Sequence, residues 1–394
     1  MWHRKNSVYL DGASNTPVDP KVFKAMRPYL TGRFVGNTAS THEFGEKAFT
    51  VLETGRDKLS KLIGCEPDEI YFTSGATEGN NWVIQGLALH EKIYNNMKKN
   101  HIIVSCVEHS SILNTCKELE KWGFEVDYLP INKKRGGVVT AATLKQHLRQ
   151  TTLLVCIMAV NNEIGSNNTI AALGRVVQKS NAFFLCDCTQ ALSYGGKDMK
   201  IAERFYNIDY LTFSGHKIYG PTGTGCLIAR KRAPLYCMIH GGSQESGLRG
   251  GTINLVGVVG LIEAYSQMSK HDYFEHYASL YEYLLKRIKE ENLPIVLNVE
   301  PTVYSIISIR LETDKIAFSE NYTFADALAV QGIACSSTSA CDEKDPDEHH
   351  LSHVLKALGL SNLDIARSAR LSFTKYNTTK DIDLLIKAVK KIIA

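Results

Sequence analysis

Lys217 ends a Ser-Gly-His-Lys turn and is the strongest candidate for a reactive residue in this sequence. The turn follows an apolar run at 210–213, typical of a buried strand, and precedes a glycine-rich segment. A lysine where a sheet meets a cavity can lose its proton through desolvation and form a Schiff base with an aldehyde cofactor. An ordinary surface turn can carry the same local sequence, so the rest of the chain must decide.

A second feature is the sequence Ser-Gly-Ala-Thr at 74–77, where a predicted strand gives way to a helix. Amides at a helix start bind phosphate well, and here Gly75 allows close approach while Thr77 adds a hydroxyl. A dinucleotide-binding fold is the obvious alternative. However, no G-x-G-x-x-G motif opens a helix, and the glycines at 220–225 lead into a strand instead. We therefore favour a phosphate site of another kind.

Polar side chains also follow other predicted strands. Asp187 and Gln190 end one strand, Asn162 follows the strand before it, and His109 follows an earlier one. A carboxylate at the carboxyl end of a strand is well placed for ligand chemistry. Beside a pyridine nitrogen it would keep that nitrogen protonated and make the ring an electron sink. Taken singly, the aspartate is equally an ordinary helix cap and the histidine a structural residue.

These side chains require a sheet whose strands end at one edge, and the chain predicts such a sheet. Strand-like and helix-like segments alternate from about residue 50 to 230, as in a largely parallel α/β sheet. The apolar runs at 153–158 and 182–185 are typical of strands covered on both faces. Helical spacing predicts helices over 46–63, from 78 to about 98, over 273–291 and over 380–393. We place a domain boundary near residue 265, giving a large domain of 15–265 and a smaller domain of 266–394 together with 1–14.

Composition limits the possible functions. The 394 residues are 44% hydrophobic and carry a formal charge of only +4, which gives no electrostatic case for a nucleic-acid or membrane-surface partner. No apolar stretch approaches the roughly 18 residues of a membrane helix, and we expect no secretory signal because no apolar run follows the first six residues. Ten cysteines are scattered without a CxxC pair, which disfavours a zinc site and indicates reduced thiols. We expect a cytoplasmic protein without a resident metal.

Together the motifs resemble the cysteine desulfurases of the NifS/IscS-like group, in the class V aminotransferase branch of fold-type I pyridoxal phosphate enzymes. The similarity extends from about Tyr9 to Lys391. It lies in Tyr9-Leu10-Asp11, Thr16-Pro17-Val18-Asp19-Pro20, Ser74-Gly75-Ala76-Thr77-Glu78, Glu108-His109, Asn161-Asn162-Glu163-Ile164-Gly165, Ser214-Gly215-His216-Lys217, Gly251-Thr252 and Ser339-Ala340-Cys341. The resemblance implies an α/β fold, with a mainly parallel seven-stranded sheet in the large domain and a smaller C-terminal α+β domain.

The resemblance also implies pyridoxal 5'-phosphate as the cofactor and a role for each matching residue. Lys217 carries the cofactor as a Schiff base, Asp187 pairs with its pyridine nitrogen, Gln190 bonds its phenolic oxygen and His109 stacks on its ring. The phosphate is held by Ala76, Thr77, Ser214 and His216, and by Thr252 from the partner subunit of a homodimer. The substrate carboxylate is received by Asn37, Asn162 and Arg370, of which Asn162 also contacts the cofactor.

Cys341 is the residue that separates a desulfurase from an ordinary transaminase. It lies in a polar segment of small residues that predicts a mobile loop. By resemblance, Lys217 takes the Cα proton of L-cysteine, and Cys341 as a thiolate then removes the sulfur. His109 is a candidate acid or base for these steps. Alanine leaves, and the persulfide passes to an acceptor protein. Cys335 is a weaker candidate, as a secondary sulfur carrier.

Some positions depart from the family pattern and leave alternatives open. Ser14-Asn15 stands where Ala-Thr is usual, and Ser246 stands where arginine often occurs. Three pathways remain open for the acceptor: iron–sulfur cluster assembly, tRNA thiolation and DNA phosphorothioation. A selenocysteine lyase or a class V aminotransferase would share the cofactor site. A non-catalytic scaffold of a sulfur pathway is a further alternative, against which the intact Lys217 and Asp187 argue.

Overall fold

A seven-stranded sheet and a three-stranded sheet organise the described part of the chain, residues 7–31, 34–337 and 351–394 of a computed structural model. The strands are β1 Val8–Tyr9, β2 Ile70–Thr73, β3 His101–Ser105, β4 Glu125–Leu129, β5 Thr152–Cys156, β6 Phe183–Asp187, β7 Tyr210–Ser214, β8 Gly225–Ala229, β9 Ile295–Leu297, β10 Ile306–Leu311, β11 Ile333–Ala334 and β12 Ser368–Ser372.

The helices alternate with the strands of the large sheet, as the sequence predicts. They are α1 Pro20–Leu30, α2 Glu43–Ile63, α3 Ala76–Tyr94, α4 Ser110–Lys121, α5 Ala141–His147, α6 Ile170–Val177, α7 Ile201–Arg204, α8 Leu255–Ser269, α9 Phe274–Glu290, α10 Phe324–Val330, α11 His353–Leu358, α12 Asn362–Ala366 and α13 Thr379–Ile393. The prediction that the helix after residue 78 continues to about residue 98 is wrong. It ends at Tyr94 because Asn96 and Met97 adopt left-handed backbone conformations that a helix cannot contain.

The large sheet has the strand order β2-β8-β7-β6-β5-β3-β4, and among these seven strands β8 alone runs opposite to the other six. The predicted mainly parallel seven-stranded sheet is therefore confirmed. All five residues of β5 are buried, as expected for a parallel strand covered on both faces. On β3, Ile102 and Val104 pack in one core with α3 and α4, while Ile103 packs in the core on the opposite face.

The C-terminal part forms the antiparallel sheet β12-β10-β9, next to which α13 packs on α9. The N-terminal strand β1 pairs with β11, so Val8 and Tyr9 lie with the C-terminal half of the chain. Helix α13 is started by a capping box between Thr378 and Asp381. None of the helices in the described ranges combines the length and apolar character needed to cross a lipid bilayer.

A buried ion pair fastens a strained turn to the sheet edge. Glu245 and Ser246 have positive φ angles of 46° and 59°, a conformation that costs a non-glycine residue roughly 1–2 kcal/mol. The carboxylate of Glu245 accepts from Arg56 Nη2 at 2.8 Å and Nη1 at 3.2 Å, and from the amide of Phe72 at 2.9 Å. Since the glutamate side chain is fully buried, these bonds hold the strained turn against β2.

We expect Glu245→Gln to lower the free energy of unfolding by about 3–5 kcal/mol, because it leaves the Arg56 charge buried without its partner. The matched control is Glu43→Gln, which breaks an exposed pair with Lys47 and should leave the denaturant midpoint unchanged. Equal midpoints for the two variants would contradict a structural role for the buried pair.

Candidate active site

The chemistry-bearing residues meet in one cleft at the carboxyl ends of the parallel strands. This location follows from topology, since parallel strands deliver the residues that follow them to the same sheet edge. The cleft encloses about 740 Å³, its open mouth included. Ten of the residues implicated by the sequence line it: Ala76, Thr77, His109, Asn162, Asp187, Gln190, Ser214, His216, Lys217 and Arg370.

The phosphate-binding candidates surround the start of α3. The hydroxyl of Ser214 accepts from the amide of Ala76 at 2.8 Å, which joins the ends of β7 and β2. A Cβ at Gly75 would make a tight contact of 3.3 Å with Ser214 Oγ, so glycine leaves room for this bond. The helix start adds a positive dipole end to this corner of the cleft.

His216 contributes a neutral ring beside this corner. Burial lowers the pKa of the imidazole to about 4, and the charge of Lys217 acts in the same direction. Its Nδ1 atom is buried and has no hydrogen-bond partner among the described residues. A neutral imidazole with an unsatisfied nitrogen is suited to bond a phosphate oxygen as a donor.

Asp187 is oriented by a chain of side-chain bonds behind the cleft. Its Oδ2 accepts from Asn80 Nδ2 at 3.0 Å, and its Oδ1 accepts from the amide of Thr189 at 2.9 Å. Asn80 is held in turn, since its Oδ1 accepts from Thr212 Oγ1 at 2.7 Å. Sequence reasoning missed Asn80. Its position four residues after Ala76, on the same face of α3, was the available signal.

His109 begins α4 and faces the cleft. Its Nδ1 accepts from the amide of Ser111 at 3.1 Å, so the ring caps the helix while it lines the cavity. On the other side of the cleft, Gln190 Nε2 donates to the carbonyl of Ala13 at 2.9 Å.

Lys217 and Arg370 place two cations in the same cleft. Lys217 Nζ donates to the carbonyls of Ala13 and Ser14 at 2.5 and 2.6 Å. Arg370 is only 3% exposed, and its Nη1 donates to the carbonyl of Asn162 at 3.0 Å. Its Nη2 donates to Asp11 Oδ1 at 2.8 Å and to Ser14 Oγ at 2.6 Å. The two cations are therefore joined through one residue, Ser14.

Two of the sequence-based site residues do not line this cleft, and a third cannot be placed. Asn37 is exposed, and its side chain accepts from the amide of Ala39. Thr252 is exposed just before α8 and does not line the cavity of its own subunit. Cys341 lies outside the described residues.

The residues present fit pyridoxal phosphate. The start of α3, Ser214 and the unsatisfied nitrogen of His216 offer donors to a phosphate group. Asp187, fixed by two hydrogen bonds, offers a carboxylate to a pyridine nitrogen, and Lys217 offers an amine to an aldehyde. Fold and donor set together define a pyridoxal phosphate enzyme of the α/β type.

The chain belongs to the class-V aminotransferase family, whose model matches residues 8–385. It is 37% identical over 390 residues to a cysteine desulfurase IscS of Methanosarcina thermophila, covering 98% of this chain and 92% of the relative. A solved NifS-like protein superposes with a TM-score of 0.84 at 30% identity, covering 98% and 99% of the two chains. A structure titled SspA in complex with cysteine has a TM-score of 0.78 at 32% identity, with coverage of 94% and 99%. The resemblance, the fold class and the cofactor predicted from the sequence are confirmed.

Glu108 is a buried carboxyl directly before His109. Its side chain is inaccessible to solvent, its Oε1 accepts from the amide of Met158 at 2.8 Å, and its Oε2 has no partner in the described ranges. Burial raises the pKa of this carboxyl well above its ordinary value, and the charge of Asp187 raises it further. Glu108 is therefore a neutral acid well above the pH at which an exposed glutamate ionises.

We expect Glu108→Gln to become more stable relative to the parent protein as the pH rises from 4 to 8. The folded parent keeps a proton that its unfolded chain releases above about pH 4.3, so the parent loses stability as the pH rises toward the folded pKa. Glutamine copies the neutral acid and has no proton to release. Thermal midpoints of the holoenzymes test this, with exposed Glu118→Gln as the matched control. A stability difference between variant and parent that does not change with pH, or that shifts in favour of the parent as the pH rises, would refute the prediction.

Proposed function

We propose that the cleft converts L-cysteine to L-alanine and that Cys341 receives the sulfur as a persulfide. The chain is a pyridoxal phosphate-dependent cysteine desulfurase, a sulfurtransferase like the relatives that match it over nearly their whole length. One observation carries the assignment of the substrate site: Lys217 Nζ and Arg370 Nη2 both bond Ser14, at 2.6 Å each. This spacing matches the two ends of an α-amino acid: the guanidinium faces the carboxylate, while the amino group lies near the lysine that carries the cofactor.

The position of each residue in the cleft determines its role in the reaction. Arg370, with Asn162 beside it, receives the substrate carboxylate, because a planar guanidinium suits a planar anion. Lys217 Nζ accepts the proton from the substrate Cα, and His109 covers the ring face as a candidate acid or base. When bound, pyridoxal phosphate supplies an electron sink for the charge left at Cα, and Asp187 maintains that sink by keeping the pyridine nitrogen protonated.

The sulfur step requires the Cys341 thiolate. Its electron pair attacks the substrate sulfur, the new S–S bond forms, and the Cβ–S bond breaks with its electrons remaining on the carbon side. A proton then completes the alanine methyl group. A free thiol with a pKa near 8.5 is only a few per cent ionised at neutral pH, so the site must assist deprotonation. Cys335 is half-buried and stays a candidate for a secondary sulfur carrier.

A homodimer is part of the proposal because Thr252 is exposed and does not line the cleft of its own subunit. The exposed threonine precedes α8, which packs against α1 and α2. Those helices and the segment between them carry apolar side chains that are more than half exposed, namely Phe23, Val35, Phe44 and Phe49. A second copy of the chain covering this face would bring its Thr252 toward the phosphate corner.

The sulfur acceptor is proposed to be another protein, serving iron–sulfur cluster assembly, tRNA thiolation or DNA phosphorothioation. Persulfide transfer from the loaded enzyme to proteins that co-purify with it distinguishes these pathways. Transfer only to small thiols would contradict a dedicated protein acceptor.

The purified protein should absorb near roughly 400 nm through its lysine-linked cofactor, and borohydride should remove this band. Lys217→Ala should abolish the borohydride-fixed label and reduce alanine formation by at least about 10²-fold. Cys341→Ser should stop alanine and sulfide formation while keeping the absorption band, whereas Cys335→Ser should retain turnover. Alanine release that survives Cys341→Ser would indicate a lyase or transaminase, and a colourless protein that cannot be reconstituted would indicate a scaffold.

The dimer face has its own test. Phe44→Asp with Phe49→Asp should shift the mass in light scattering from twice 43.8 kDa toward 43.8 kDa and weaken cofactor retention, because the partner's threonine is withdrawn. Tyr94→Asp, which changes an aromatic residue 73% exposed on α3, is the control and should remain dimeric. A dimer unaffected by the double substitution would place the interface elsewhere.

A further inference from the structure

Arg370 is occupied by oxygens of its own chain before any substrate binds. Its Nη2 has three acceptors: Asp11 Oδ1 at 2.8 Å, Ser14 Oγ at 2.6 Å and Ser336 Oγ at 3.0 Å. A guanidinium Nη atom has only two hydrogens, so these three oxygens already exceed what Nη2 can donate. A substrate carboxylate reaching this atom must therefore compete with them.

Among these three acceptors, only Ser14 belongs to a residue that lines the cleft within the described part of the chain. The direction of its hydroxyl is set by its neighbours. Ser14 donates to Asp11 Oδ1 at 2.8 Å, so its one hydrogen points to the aspartate and its lone pairs face Arg370. The hydroxyl thus occupies the cleft side of Nη2 as an acceptor and has no hydrogen left for an incoming anion.

Asp11 strengthens this arrangement electrostatically. Its carboxylate forms an ion pair with Arg370 at 2.8 Å in a place where the arginine side chain is 3% and the aspartate 18% exposed. Pairing in a weakly screened environment offsets much of the positive charge that a substrate carboxylate would meet. The guanidinium Nε is buried and has no hydrogen-bond partner in the described residues.

We propose that Ser14 sets the affinity of the cleft for its substrate by competing with the substrate carboxylate for Arg370 Nη2. This inference rests on the proposed role of Arg370 as the carboxylate receptor. An alanine at position 14 would offer no such hydroxyl. Ser14 is therefore a specificity-determining residue that weakens ground-state binding of any ligand with an α-carboxylate, and ligands without that group do not sense it.

The test compares two ligands that differ in the carboxylate alone. Ser14→Ala holoenzyme should bind L-cysteine and the product L-alanine more tightly, on the order of tenfold, the value of one charge-assisted hydrogen bond. Its affinity for cysteamine, which is cysteine without the carboxylate, should equal that of the parent enzyme. Affinities come from the change in the cofactor absorption band, and the KM for L-cysteine should fall while the KM for a substrate amine without a carboxylate should not.

Two further variants separate competition from general disturbance. Ser14→Thr retains the hydroxyl and should keep the parent affinity for L-alanine. Ser336→Ala removes another oxygen that accepts from Arg370 Nη2 but belongs to a residue that does not line the cleft. It should change the affinity for L-alanine less than Ser14→Ala does. Equal shifts for cysteine and cysteamine, or weaker alanine binding in Ser14→Ala, would overturn the proposal. If the parent enzyme itself fails to bind cysteine and alanine, the proposed function fails instead.

Discussion

The segment from Asp11 to Thr16 is the constraint on which the rest of the site depends. It runs between the large sheet and the C-terminal sheet and bonds both. On the large-domain side, the carbonyl of Ala13 accepts from both Lys217 and Gln190. On the other side, the amide of Gly12 donates to the carbonyl of Ser372 at 2.9 Å, and Asp11 pairs with Arg370. The distance between the lysine and the arginine is thus fixed by one short stretch of backbone.

A second group of interactions fixes the cofactor side of the cleft. Asn80 joins the carboxylate of Asp187 to the hydroxyl of Thr212, so α3 and strands β6 and β7 are held together behind the ring position. Glu78, two residues earlier in α3, forms a two-point ion pair with Arg249 at 2.9 and 3.2 Å and also accepts from the amide of Ser74. The phosphate corner and the loop that leads to Thr252 are therefore fastened to each other within one subunit.

The sequence predicted the sheet and much of the cleft for a physical reason. Buried parallel strands are continuous apolar runs, and polar residues directly after them must gather at one edge, so Asp187, Ser214 and Lys217 were found without knowledge of contacts. The end of α3 was missed because left-handed residues such as Asn96 leave little trace in periodicity. Asn80 was missed because a polar residue inside a helix is usually exposed, and here it is completely buried.

The contacts of Arg370 with Asp11 and Ser14 were beyond sequence reasoning because they join residues more than 350 positions apart, and local sequence patterns do not report contacts over such separations. The family resemblance named the arginine as a carboxylate receptor and noted serine at position 14 as a departure. Only the folded structure shows that these two residues are in contact, since the Ser14 hydroxyl lies 2.6 Å from the Arg370 guanidinium.

Both cationic side chains of the cleft, Lys217 and Arg370, are hydrogen-bonded to oxygens of the protein, and these bonds affect substrate binding. Charged groups exposed in an empty cleft would bind water or unrelated anions, and each would have to be displaced. Carbonyls and hydroxyls of one segment instead keep Lys217 and Arg370 in place at a modest cost in substrate affinity. Weak ground-state binding does not slow an enzyme that works near saturation, since only interactions stronger in the transition state raise the turnover rate. The hydrogen bonds of Arg370 to its own chain are thus compatible with fast chemistry. They lower the affinity for amino acids with an α-carboxylate, including the product.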